Sequence, residues 1–240
     1  MHVKRPRFRL AALLLLLALT YAPRDARAQT SILTVPTGDV LADGESELSF
    51  EFEARPVAVR NGGFRTFGLF LVHGARKGLE VGVNAYFTKD GEQSAPVELQ
   101  SNIKVRLYES EEKGVAAAAG AVLYAPTGRG GGDTLGVAYS SVTKSVAGLG
   151  GARLTGGGYA VIGQNRGAGS NAGALLGYEQ PLHSRLSFVA DWNTGRNRFG
   201  YAAAGFNLTL SGRDTLTSAY YFGNEGRGNN FLGVYYTRSF

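Results

Sequence analysis

Apolar and polar residues alternate along most of the chain after residue 45. The alternation is clearest in five stretches: 48–55, 79–88, 97–107, 185–193 and 232–240. In one of them, Leu99, Ile103 and Val105 share a face, while Gln100, Lys104 and Arg106 share the other. Successive side chains of a β-strand point to opposite faces, so this period of two predicts strands with one apolar and one polar face. No long stretch with helical periodicity is found.

Seven weaker stretches fill the gaps at similar spacing: 64–74, 115–125, 134–145, 152–163, 171–179, 199–210 and 215–223. The stretch 64–74 is apolar on both faces and 115–125 consists mostly of alanine, so their pattern does not say which face lies inside. With the five clear stretches they predict twelve strands within residues 45–240. This allows about 16 residues for each strand with its connection, enough for a membrane-spanning strand and a turn.

The predicted connections alternate in length. The short ones are 75–78, 110–114, 147–151, 180–184 and 211–214. The longer ones are rich in Gly, Asn and Arg, and they are 55–63, 88–96, 126–133, 163–170, 193–198 and 224–230. Short turns at one end and longer loops at the other are typical of bacterial membrane barrels.

The apolar faces could be buried inside a soluble sandwich or barrel, or could face lipid. Twelve strands make a barrel wider than the eight-stranded size that side chains can fill, and the polar faces suit a water-filled lumen. Aromatic residues recur near strand ends, as in interfacial girdles: Phe87, Tyr108, Tyr124, Tyr178, Trp192, Tyr201, Phe222 and Tyr236. We therefore predict an all-β, closed antiparallel transmembrane β-barrel of about twelve strands, with Phe87, Trp192, Tyr236 and Phe240 at the membrane interface.

The N-terminus has the features of a cleaved export signal. Lys4, Arg5, Arg7 and Arg9 precede an apolar run over residues 10–19, and Ala26-Arg27-Ala28 fits the signal peptidase pattern. We expect residues 1–28 to be removed and the mature chain to begin at Gln29. The following segment, 29–44, contains Pro36 and the turn-like residues 37–39, and it is interpreted as a plug, a periplasmic leader or an extra strand.

Charge and composition narrow the possible chemistry. Residues 1–28 carry six of the 25 basic residues and one of the 19 acidic ones, so the remainder has a net charge of +1. No basic stripe for nucleic acid is visible. The chain has no cysteine, which excludes disulfides, zinc–thiolate sites, iron–sulfur clusters and cysteine nucleophiles. Neither a cofactor nor a metal site is predicted.

The mature chain has two histidines, His73 and His183. His183-Ser184 falls in a predicted turn beside Pro181, and no match to the His-x-Ser spacing of outer-membrane phospholipases is found. A serine hydrolase needs Ser, His and an orienting acid or amide in contact. We therefore predict that the chain is not an enzyme.

Charged and amide side chains on the predicted polar faces are the candidate functional residues. Paired carboxylates could act as acid and base or bind calcium, but a mixed-charge lumen that sets ion selectivity is favoured. The predicted lumen residues are Glu51, Glu53, Glu80, Glu98, Asn102, Lys104, Arg106, Arg153, Arg185 and Asp191. Loop cations either contact lipopolysaccharide phosphates or only confer solubility, and they are Arg60, Lys89, Arg129, Arg166, Arg196, Arg198 and Arg227.

Two resemblances complete the sequence evidence. The final strand ending in Phe240 resembles the C-terminal signal of outer-membrane barrels, although Arg238 stands at a position that is ordinarily apolar. This resemblance implies the barrel-assembly machinery as a partner. The segments LEVGVNAYF and FVADWNTGRNRFGY are similar to transporter-like barrels associated with aromatic-compound degradation through the phenol meta-pathway. That likeness implies small-molecule transport.

The sequence as a whole predicts an outer-membrane passive channel for small hydrophilic or aromatic solutes, surrounded by outer-membrane lipid and lipopolysaccharide. A structural or adhesion barrel with a closed lumen is the first alternative. An integral outer-membrane lipid enzyme is the second.

Overall fold

The computed structural model describes residues 30–89, 94–127, 134–163, 169–226 and 229–240. The predicted signal peptide, residues 1–28, lies outside them. The strands are β1 (Ser46–Arg55), β2 (Phe64–Arg76), β3 (Leu79–Lys89), β4 (Ser94–Ser110), β5 (Val115–Thr127), β6 (Leu135–Val146), β7 (Ala152–Ile162), β8 (Ala172–His183), β9 (Leu186–Asn193), β10 (Tyr201–Thr209), β11 (Asp214–Gly223) and β12 (Phe231–Ser239). Short 3₁₀ turns occupy Val59–Asn61 and Ala147–Leu149.

The twelve strands form one closed antiparallel barrel, as the alternating pattern predicts. Each strand pairs with its neighbours in sequence, and β1 closes the barrel against β12, from Glu47 opposite Ser239 to Ala54 opposite Leu232. Closure leaves no strand edge unpaired, which satisfies backbone hydrogen bonds in lipid. Within the described part of the chain, no helix combines the length and apolarity needed to cross a membrane.

The two ends of the barrel differ in their connections, as predicted. We call one the turn end, where β1 begins, β12 ends, and the connections are 77–78, 111–114, 147–151, 184–185 and 210–213. The other is the loop end, with connections 56–63, 90–93, 128–134, 163–171, 194–200 and 224–230. Some predicted boundaries are wrong. Among them, His183, expected in a turn, is the last residue of β8, because that strand continues past Pro181 through an irregular pairing.

The outer surface of the barrel is an apolar belt. Large apolar side chains on the outward faces are exposed, including Phe67, Leu69 and Leu71 of β2 and Leu123 of β5. The structure also assigns the inward faces of 64–74 and 115–125, the two stretches whose pattern was ambiguous. Thr66, Val72, Ala116 and Ala118 are buried on these inner faces. An outward apolar band is what a barrel in lipid presents.

The predicted interface aromatics divide between the two faces of the wall. Phe87, Trp192 and Phe240 are exposed on the outside, and the Tyr236 hydroxyl donates to Asp214 at 2.7 Å near the turn end. Tyr124 and Tyr201, taken as girdle residues from their position near strand ends, instead line the interior. The correction follows from strand parity, because Tyr124 shares its face with the inward Ala116 and Ala118.

Candidate functional site

Residues 30–41 lie inside the barrel. The chain enters from the turn end, where the Gly44 amide donates to the Gly74 carbonyl at 2.8 Å. Gly44 has a φ of +80°, a conformation that glycine adopts easily, and it leads the chain into β1. Residues 30–37 form a tight hairpin, closed by bonds from the Thr37 amide to the Thr30 carbonyl and from the Ile32 amide to the Val35 carbonyl. We call residues 30–41 the lumen segment.

Asp191 on β9 holds the tip of the hairpin. Its Oδ2 accepts the backbone amides of Leu33 at 3.1 Å, Thr34 at 2.6 Å and Val35 at 2.8 Å. The carboxylate is only 5% exposed. Three donors converging on one buried carboxylate fix the position of the turn far more firmly than a single neutral hydrogen bond would.

Charged side chains of three other strands, β3, β4 and β7, hold the rest of the lumen segment. Lys104 Nζ donates to the Thr30 carbonyl at 2.6 Å, and Arg106 donates to the Val40 carbonyl at 2.9 Å. Three further contacts complete the set: Glu80 accepts the Leu41 amide at 3.1 Å, and Arg153 forms ion pairs with Asp39 and, at 3.1 Å, with Glu179. These groups bind the chain's own backbone and side chains inside the barrel.

Apolar residues of the segment pack inside the barrel as well. Val35 belongs to a buried cluster of residues from β6, β7 and β8: Leu135, Val137, Tyr159, Val161 and Leu175. Leu33 packs against a second cluster, formed by Ala203, Ala219, Tyr221 and Phe231. The segment therefore packs against the wall at β6 to β8 and reaches the wall at β10 to β12 through Leu33.

A cavity of about 680 Å³ remains beside the segment, mainly along β1 to β5, β11 and β12. Of the ten predicted lumen residues, six line it: Glu51, Glu53, Glu80, Glu98, Asn102 and Lys104. Arg106, Arg153 and Asp191 contact the lumen segment outside this lining, and Arg185 lies in the turn between β8 and β9. Selectivity by these residues stays a prediction.

Tyrosines bond to the acidic side chains of this wall. The Tyr86 hydroxyl donates to Glu51 at 2.7 Å, and the Tyr235 hydroxyl donates to Glu53 at 3.1 Å. The Tyr235 and Tyr221 hydroxyl oxygens are 2.7 Å apart. These tyrosines were not predicted as site residues, although the alternation in β3 places Tyr86 on the same face as Glu80 and Asn84.

Arg198 crosses the mouth of the cavity at the loop end. It forms an ion pair with Glu98 at 2.7 Å, and its guanidinium lies 5.3 Å from the ring centre of Tyr124 and 5.2 Å from that of Phe199. It was one of the loop cations considered for lipopolysaccharide. Of the others, Arg60, Lys89 and Arg196 are exposed at this end, whereas Arg129, Arg166 and Arg227 lie outside the described residues.

The two histidines lie at the turn end, far from the loop-end mouth. His73 Nδ1 is 2.9 Å from Ser46 Oγ, and His183 Nδ1 is 3.1 Å from Ser184 Oγ. Within the described ranges, no three His, Asp or Glu side chains are grouped so that they could hold a metal ion.

Gly38 gives a test of how tightly the segment fits. A Cβ added there would lie 2.2 Å from the backbone oxygen of Ala116. We expect Gly38→Ala to push the segment off β5 at a cost of about 1–3 kcal/mol, which raises hydrogen exchange of the amides of residues 33–35 and 37–41. Gly148→Ala is the control, since nothing lies within 4 Å of that position. Equal exchange in both variants would contradict the described fit.

Comparison with known proteins shows the class of fold. Neither a family model nor a curated protein matches the sequence. Among solved structures, the chain is similar to the KdgM porin, with a TM-score of 0.61 at 7% identity, covering 81% of this chain and 99% of that one. It also matches the COG4313 outer membrane channel from Pseudomonas putida F1, with a TM-score of 0.48 at 15% identity, covering 90% and 100%. Outer membrane phospholipase A from Escherichia coli gives a TM-score of 0.45 at 13% identity, covering 89% and 98%.

At such low identity, the structural similarity shows the fold alone, a porin-like transmembrane barrel of the outer-membrane type. Because one fold hosts different activities, the absence of enzymatic activity stays a prediction. The link to phenol degradation likewise stays a resemblance of sequence.

Proposed function

We propose that the protein is a passive outer-membrane channel for small solutes, with its turn end in the periplasm and its loop end outside. The observation that carries this proposal is the cavity of about 680 Å³ beside the lumen segment. Its wall combines carboxylates, amides and cations, the groups with which pores set selectivity. The porin-like fold supports the same reading.

The route for solutes runs along one side of the lumen. The lumen segment and the first apolar cluster occupy the side near β6 to β9, so the open side is bounded mainly by β1 to β5, β11 and β12. The cavity lining carries five carboxylates and two cations: Glu47, Glu51, Glu53, Glu80, Glu98, Lys104 and Arg198. An excess of negative charge raises the local concentration of cations, so the proposed channel prefers cations over anions.

The lining also contains aromatic rings. Phe70, Tyr86, Tyr124 and Tyr139 face the cavity. Together with the resemblance to transporter-like barrels of aromatic-compound degradation, these rings support aromatic solutes as candidates.

A structural or adhesion barrel with a closed lumen is the second candidate. The lumen segment favours it, because residues 30–41 already occupy much of the interior through polar and apolar contacts. Conductance separates the two functions, since a closed barrel folds without conducting.

Single-channel recording of refolded Gln29–Phe240 in a planar bilayer tests the channel. We expect discrete steps with a preference for K⁺ over Cl⁻, and we expect Glu51→Gln combined with Glu53→Gln to lower that preference about two- to fivefold. The reason is that both carboxylates line the cavity.

Glu112→Gln, in an exposed turn between β4 and β5, is the matched control and should leave the preference unchanged. A folded, heat-modifiable barrel that gives no conductance would overturn the channel and leave the closed barrel.

A further inference from the structure

Glu51 and Glu53 form an acidic wall within the cavity. Both belong to β1 and lie on the same inward face, two residues apart. Each carboxylate is bonded to a neutral group, the hydroxyl of Tyr86 for Glu51 and that of Tyr235 for Glu53. In the part of the chain that the structure describes, neither forms an ion pair with a cation, so a cationic solute would meet no competing cation of the protein there.

Asn84 on the adjacent wall adds an acceptor. Its side chain lines the cavity and is only 4% exposed. Its amide nitrogen donates to Gln100 at 3.1 Å, whereas its amide oxygen has no hydrogen-bond partner. A buried oxygen left without a donor costs free energy, which a ligand that brings N–H groups would recover.

The mouth of the same cavity shows how this protein holds a cation. Arg198 is bound there by one carboxylate, Glu98, and by the faces of two rings, Tyr124 and Phe199. Carboxylate and aromatic face together are a general solution for holding a guanidinium or ammonium group. Glu51 with Tyr86, and Glu53 with Tyr235, likewise bring a carboxylate and an aromatic residue together in the same cavity.

We propose that the wall formed by Glu51, Glu53, Tyr86 and Tyr235 recognises small organic cations, solutes in which an ammonium or guanidinium group is attached to an apolar or aromatic body. The carboxylates bind the charged group, and the tyrosine rings contact the remainder of the solute. As an assignment of substrate class, this rests on the proposed channel function, but the binding itself does not require conductance.

The first test uses the folded chain Gln29–Phe240 in detergent and three probes of similar shape. Isothermal titration with benzylamine, which is cationic at neutral pH, is compared with benzyl alcohol and benzoate. We expect benzylamine to bind at least about tenfold more tightly than either, because only it offers a cation to the acidic wall. This comparison requires no variant. Equal affinity for benzylamine and benzyl alcohol would overturn the proposal.

The second test assigns the binding to this wall. Glu51→Gln combined with Glu53→Gln should weaken benzylamine binding about tenfold, whereas Glu112→Gln should not. Tyr86→Phe keeps the ring and should change the affinity by less than about threefold. Unchanged affinity in the folded double variant would overturn the site. If the protein conducts but does not bind benzylamine, the organic-cation site is rejected and the channel function stands. If it binds benzylamine but does not conduct, the channel function is rejected and the site stands.

Discussion

Deletion of residues 30–41 is expected to raise the single-channel conductance about two- to fivefold, because the lumen of a twelve-stranded barrel is wide unless something fills it. The segment is bound inside by Lys104, Arg106, Arg153 and Asp191, and Val35 completes an apolar cluster. Its removal opens the side of the lumen near β6 to β9. The deletion lies outside the twelve strands, so the barrel itself should remain closed.

Heat-modifiability in gel electrophoresis reports whether the deleted chain still forms a barrel. A shortened turn at 147–151 serves as a control, since that connection lies at the rim of the barrel and does not contribute to the lumen segment. If the deleted chain folds and its conductance equals that of the intact chain, the segment does not limit the pore.

Replacement of Asp191 by alanine is expected to release the hairpin tip. Oδ2 accepts three backbone amides, and hydrogen bonds to a charged group contribute about 1.5–3 kcal/mol each, so the local cost is several kcal/mol. The measurement uses the absence of cysteine from the chain. A single Val35→Cys variant, at a position with no exposed surface, should react with a maleimide at least about tenfold faster once Asp191 is replaced.

The matched control is Ser187→Ala, which changes a residue on the same strand and the same face as Asp191. It should leave the labelling of Val35→Cys slow. With Asp191→Asn, the labelling rate of Val35→Cys should lie between the rates found with Ser187→Ala and with Asp191→Ala, because an amide oxygen still accepts hydrogen bonds but carries no charge. Rapid labelling already in the chain that retains Asp191 would show that the carboxylate does not hold the hairpin.

Part of the site could be predicted from the sequence and part could not. The parity of β1 and β4 placed Glu51, Glu53, Glu98 and Lys104 on polar faces, and these side chains line the cavity. The prediction treated Lys104 as a charge facing water. Lys104 is only 2% exposed and binds the Thr30 carbonyl, a partner 74 residues away along the chain that no local pattern indicates.

The sequence by itself determined the architecture. Alternation with a period of two is a local property of the backbone, so it predicted about twelve strands and, in the five clear stretches, their apolar faces without knowledge of any partner. Position near a strand end is a weaker guide, and it misplaced Tyr124 and Tyr201, which parity and pairing turn inward.

Only the tertiary structure decided what occupies the lumen. Residues 30–41 have no periodicity of their own, so the sequence left a plug, a leader and an extra strand equally open. Their position depends on side chains more than 100 residues away, such as Thr143 and Asp191. Barrel closure brings these groups to one place, and contacts of such long range are a property of the closed sheet that no short window of sequence contains.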